Sequence, residues 1–239
     1  MYPANPHSKM PKDASPILIR PARPSEYKTL GNIAAVTYFP ASFSDFLSPN
    51  RIQYYSHYAR GFQQRALTLM LQPRVRSLVA VESTRPDLPI AYIHFERLGD
   101  DETARRYIRE KESVRLWVYR WLAWAWWLLI AVVIGNKAAD PENQRTFMAS
   151  AVQYRKTFWD PYQERQSRFH VLSFVVLPQF QGRGVGTRLL AEVTSRAERE
   201  NVVIGLEASP EGEIIVSQLR PLSQYALRRL SCPESRDDI

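Results

Sequence analysis

The chain has little cysteine, little glycine and little histidine. Its 239 residues include one cysteine, nine glycines and four histidines. A single cysteine, Cys232, excludes an intrachain disulfide and any cysteine-built metal centre. It lies in a polar tail, where nothing activates it as a nucleophile, and no metal site is read anywhere in the chain. Acidic residues are outnumbered, 24 against 32 Lys and Arg, leaving a net charge of +8. That excess suits nucleic acid, a lipid surface or a polyanionic small molecule. The basic residues are scattered and never interleave with aromatics in a run, so no nucleic-acid module is read. The opening residues, MYPANPHSKMPKDASP, lack an apolar core segment, which argues against a secretory signal. With the lone cysteine, this predicts a cytoplasmic location.

What is present is an ordinary globular balance, 45% apolar and 23% charged. The length suffices for a sizeable core. Residues 1–16 are Pro-rich and polar and are expected to be disordered. Residues 17–230 are expected to form one domain, and 231–239 a polar tail.

The scarce glycines are not evenly spread. Gly182, Gly184 and Gly186 fall within five residues. Before them, His170 to Leu177 is rich in Val, Leu and Phe and reads as a strand, ended by Pro178. After them, Val185, Leu189, Leu190, Val193 and Ala197 recur at helical spacing. A strand feeding a Gly-rich turn that opens a helix suits a phosphate group. Free N–H groups at the helix start point outward, and the helix dipole adds partial positive charge. Arg183 and Arg188 offer charge-assisted hydrogen bonds. A Walker loop is excluded because its Lys is absent, and a dinucleotide loop because the third glycine is misplaced.

The pattern that remains is Gln181-Gly182-Arg183-Gly184-Val185-Gly186, with Val176-Leu177-Pro178 before it and Leu189-Leu190 after it. It resembles the acetyl-CoA-binding motif of the GCN5-related N-acetyltransferases (GNAT). The resemblance implies an α/β fold with a mixed, mostly antiparallel central sheet flanked by helices. It implies acetyl-CoA as cosubstrate and an amine, on a small molecule or a protein, as acceptor. The main chain of Phe174, Val175 and Val176 would hold the pantetheine and acetyl arm. Gln181, Gly182, Arg183, Gly184, Val185, Gly186 and Thr187 would hold the pyrophosphate.

The remaining elements are placed around that motif. Ile17 to Ala22 reads as a first strand, and a helix follows from Pro24 with Ser25 as N-cap. Phe39 to Asn50 reads as a loop which, by the resemblance, borders the acceptor entrance. Phe43 and Phe46 line that entrance or pack in the core. Arg51 to Leu71 reads as a second helix. Ser77 to Glu82 and Ile90 to Leu98 read as a hairpin. Alternation puts Tyr92, His94 and Glu96 on one face, toward solvent or the acceptor groove. Glu96, His94 and His170 are the candidate general bases.

Residues 100–168 read as a helical insertion between strands three and four, including a helix from Pro141 to about Phe158. Within it, Leu116 to Gly135 holds five of the six tryptophans and one charge, Arg120. A helix apolar all round is buried or in lipid. Three states are open: a buried or dimer-forming helix, an interfacial membrane helix, or a span. The span ranks last, because it would divide the sheet across a membrane.

The C-terminus departs from the family pattern. Leu206 to Gly212 resembles the end of the fifth strand in fungal-type members, but the expected Tyr-x-x-x-Gly-Phe does not follow. Tyr225 is the nearest candidate for the general acid. The departure leaves a second reading, a catalytically impaired CoA-binding module tied to membranes through 116–135.

Overall fold

The computed structural model describes residues 16–208 and 225–229. The expectations for 1–15, for 209–224 and for the tail beyond 229 lie outside the described residues. Six strands form one sheet in chain order: β1 (Ile17–Pro21), β2 (Val75–Glu82), β3 (Arg85–Leu98), β4 (Arg168–Val176), β5 (Val203–Ala208) and β6 (Tyr225–Arg229). The first three pairings are antiparallel and the last two parallel. This is the mixed, mostly antiparallel sheet that was expected.

Seven helices are described: α1 (Tyr27–Tyr38), α2 (Ser42–Leu47), α3 (Tyr55–Met70), α4 (Glu102–Arg109), α5 (Val114–Val133), α6 (Pro141–Phe158) and α7 (Val185–Glu200). Two sequence expectations need correction here. Ser25 does not cap α1. It lies inside a short 3-10 turn, Pro24–Glu26, and Glu26 takes the N-cap position, its carboxylate accepting from Arg23 N at 2.7 Å. The stretch from Phe39 to Asn50 is not all loop, since Ser42–Leu47 winds into α2.

The sheet's two faces carry two cores. On one, Ile93, Phe95, Phe169 and Val176 pack against Val185, Leu189 and Val193 of α7. On the other, Val79, Tyr92 and Val175 pack against Leu30 and Ala34 of α1 and Ala66 and Met70 of α3. The period-two pattern of β3 explains the split, because Ile93 and Phe95 point one way and Tyr92 the other. Deep in the domain, Arg97 is almost wholly buried and clamps three elements. Its Nε donates to Glu200 of α7 at 2.7 Å, and Nη2 to Asp101 and Thr103 beside α4 at 3.0 Å.

The insertion occupies the place predicted for it, between β3 and β4, and α6 has the predicted bounds. Burial of the tryptophan helix is corrected: only Trp127 of α5 is buried. Leu116, Arg120, Ala123, Trp127 and Ile130 are the positions of α5 shielded from solvent. They form one narrow stripe at helical spacing. Trp117, Trp121 and Trp124 lie outside that stripe, exposed, each ring edge-on to the next.

Candidate active site

The glycine-rich stretch folds as its spacing predicts. Pro178–Phe180 makes a 3-10 turn at the end of β4, and α7 begins at Val185. Gly182 and Gly184 have φ of +71° and +73°, the left-handed region where side chains strain the backbone. A Cβ at either would meet nothing within 4 Å. The glycines therefore answer to backbone conformation and leave open space over the loop. Gly184 is the N-cap, so the N–H groups of Val185, Gly186 and Thr187 form the exposed start of α7. Gly186 has a different constraint: a Cβ there would stand 3.0 Å from the Phe174 ring, so its smallness lets α7 lie close on β4. Arg183 is exposed, its guanidinium 5.3 Å from the Phe180 ring. Arg188 turns away from the loop, donating to Ile17 O at 3.4 Å.

β4 opens just before this loop. It pairs with β3 over its whole length, but with β5 only from Arg168 to Val171. The register with β3 skips Leu172, a bulge that bends and twists the strand at that point. Past the bulge, Leu177 N donates to Ile90 O at 3.0 Å. Antiparallel alternation then commits the main chain of Val175 to β3 and turns that of Phe174 and Val176 to the open side. Of the three residues expected to offer main-chain bonds, Phe174 and Val176 are placed to do so. Val175 is not; its side chain is buried against α1 and α3.

Side chains gather along the open edge. Leu172 O accepts from Arg65 of α3 at 3.4 Å, Phe174 O from the Tyr38 hydroxyl of α1 at 3.5 Å, and Val176 O from Gln181 Nε2 at 2.9 Å. Ser173 Oγ lies 3.1 Å from the Tyr92 hydroxyl. Burial pushes the Tyr38 phenol above its usual range, which keeps it protonated.

His94 and Glu96 share one sheet face, as alternation required, and His170 of β4 lies opposite Glu96. The surroundings differ from expectation, because α1 and α3 cover that face at Tyr92. His94 is fully buried, with Nδ1 2.7 Å from Ser77 Oγ. Burial, aided by Arg65 and Lys111, holds it down at about 3. His170 sits edge-on to Trp159, and burial with Arg168 and Arg155 holds it at about 4. Both are neutral and weakly basic near pH 7. Glu96 is half-buried opposite His170, and burial raises its carboxyl above the ordinary value despite nearby Arg168, Arg155 and Arg74. A raised carboxylate is the better proton acceptor of the three. Tyr225 opens β6 in register with Ile204, which pairs with Phe169; two strand spacings, about 10 Å, separate it from β4.

The model of the acetyltransferase (GNAT) family matches residues 44–213, most of the chain. The chain belongs to that family. A search of curated proteins found no match. Among solved structures, it is similar to a GCN5-related N-acetyltransferase from Ralstonia eutropha, at 12% identity and a TM-score of 0.48, over 91% of this chain and 98% of that one. It is also similar to a predicted acetyltransferase with acetyl-CoA from Clostridium acetobutylicum, at 10% identity and 0.41, over 91% and 96%. A ribosomal-protein-alanine N-acetyltransferase from Brucella melitensis biovar Abortus matches at 10% and 0.41, over 91% and 100%.

This GNAT chain is therefore an acyltransferase, and its Gly-rich loop lies within the matched residues. Sequence reading missed Tyr38, Arg65 and Ser173. Tyr38 and Arg65 stand on helices with no motif around them. Only the packing of α1 and α3 beside the open strand brings them to the site. Among the described residues no hairpin follows β5; β6 runs parallel to it, in keeping with the missing C-terminal motif.

Proposed function

We propose that this GNAT chain transfers the acetyl group of acetyl-CoA to an amine, with the thioester arm along the open edge of β4. The observation that carries the proposal is the continuity of two features. An unpaired strand edge, starting at Leu172, runs directly into a left-handed glycine loop and a free helix start.

The residues fit a nucleotide thioester in character. The N–H groups of Val185, Gly186 and Thr187, with the backbone from Gln181 to Gly184, suit a pyrophosphate. The main chain of Phe174 and Val176 suits the amide-bearing arm. Bound acetyl-CoA supplies an activated carbonyl, at which a C–N bond forms to the acceptor and the C–S bond breaks. Glu96 takes the proton that the amine must lose. Tyr38, protonated and set against the β4 edge, donates one toward the leaving sulfur. Arg65 holds the carbonyl at the start of the opening and lends positive charge there.

Calorimetry with acetyl-CoA on the wild type and on Gly184→Glu tests the cosubstrate site. The substitution puts bulk and negative charge over the loop, and affinity should fall roughly a hundredfold or more. Turnover with free-thiol detection across an amine panel then tests the reaction. Binding that the substitution leaves untouched would refute the loop assignment, and binding without turnover on any amine would refute the transfer.

A further inference from the structure

The acetyltransferase reading leaves α5 without a task. The helix is 20 residues long and apolar enough to cross a membrane, yet only its Trp127 is buried. Trp117, Trp121, Leu122, Trp124, Trp126 and Leu129 are all more than half exposed. Covering a large apolar side chain is worth roughly 1.5–3 kcal/mol. The bare face therefore forgoes a large stabilisation unless something covers it.

The anchoring of the helix narrows what that is. Just before α5, Lys111 Nζ donates to the carbonyls of Met70, Gln72 and Val75 at 2.6–2.9 Å, at the far end of α3. Just after it, Gly135 O accepts from Arg60 Nη2 at 2.8 Å, near the start of α3. The two ends are thus fastened to opposite ends of one domain helix. A span would drag α3, with Gln64, Arg65 and Thr68 exposed along it, into hydrocarbon, where bare polar groups cost several kcal/mol each. A second copy of α5 would cover one more stripe and leave the rest of the circumference bare.

We infer that α5 lies flat in the interfacial layer of an anionic lipid bilayer, with its shielded stripe on the domain and its tryptophans among the headgroups. Trp concentrates at that depth, where its ring is apolar and its N–H still finds a partner. Charge agrees. Arg105 and Arg106 are exposed on α4 and Arg115 at the start of α5, and Arg145 and Lys156 are exposed on α6. Each basic side chain near an anionic surface adds about 1 kcal/mol. An in-plane helix also keeps the sheet on one side of the membrane.

The test uses the full chain, without detergent, in flotation with vesicles of phosphatidylcholine alone and of phosphatidylcholine mixed with phosphatidylserine. Binding to the mixed vesicles, weakened by salt and accompanied by a blue shift of tryptophan emission, is expected. The triple variant Trp117→Gln, Trp121→Gln, Trp124→Gln should lose roughly tenfold or more in partitioning. Its circular dichroism and acetyl-CoA affinity should be unchanged, because the three rings lie outside the shielded stripe. No flotation, together with a concentration-dependent dimer that the triple variant abolishes, would overturn the inference in favour of self-association. Resistance to alkaline extraction from membranes would overturn it in favour of a span. Flotation read without acetyl-CoA stands or falls separately from the catalytic reading.

Discussion

Glu96 and His170 stand opposite one another across the β3–β4 ladder, two residues before β4 opens. Burial moves them in opposite directions on the pH scale, the carboxyl up and the imidazole down to about 4. Burial thus favours the neutral form of both groups, and of the two Glu96 is the stronger proton acceptor. Glu96→Gln should lower kcat about a hundredfold with little change in KM for acetyl-CoA. The wild-type rate should fall as pH drops through a midpoint above the ordinary carboxylate value of 4.5, and the variant should lose that limb. A pH–rate profile of both proteins checks it; equal activity would move the base role elsewhere.

Tyr38 donates to Phe174 O along the edge where the thioester arm is placed. Tyr38→Phe removes one oxygen and leaves the ring stacked on Phe62. It should lower kcat roughly tenfold to a hundredfold while acetyl-CoA affinity holds. Steady-state kinetics beside calorimetry separates the two effects. A loss in affinity alone would make Tyr38 a binding residue.

Two glycines of the loop should fail for different reasons. Gly184→Ala meets open space but must hold φ at +73°, at a cost of about 1–2 kcal/mol. Gly186→Val instead crowds Phe174, whose ring lies 3.0 Å from a Cβ, and overpacking costs about 1–3 kcal/mol. Pairing Gly186→Val with Phe174→Leu should recover part of that loss, whereas Phe174→Leu should do nothing for Gly184→Ala. Urea unfolding of the single and double variants measures both.

Acid should destabilise the fold from near neutrality downward. His94 and His170 are held at about 3 and about 4, below the ordinary 6.5. The unfolded chain therefore takes up protons first as pH falls. The stability these groups contribute is full above about 6.5 and is lost as pH drops toward their folded values. Urea midpoints should fall between pH 7 and pH 5, and His94→Gln should flatten that slope. A midpoint independent of pH in this window would show that neither ring is buried as described.

Local chemistry was legible without coordinates. Glycine positions, a strand ending at proline and a helical apolar period are all short-range signals, and they located the glycine-rich loop and the family. The bounds of α6, from Pro141 to Phe158, and the alternation of Tyr92, His94 and Glu96 were readable for the same reason. Burial was not, because it depends on what arrives from elsewhere in the chain. The face of β3 that alternation defined became a core face at Tyr92 because α1 and α3 cover it there. Val175 was withdrawn from the open edge by ladder parity, which only pairing establishes. Tyr38 and Arg65 reached β4 from 136 and 107 residues away. The tryptophan helix shows the division most plainly. Composition alone made it long and apolar enough for a core, a membrane surface or a span. Its tethering to both ends of α3 leaves it on the outside of the domain, and that is a property of the packed structure.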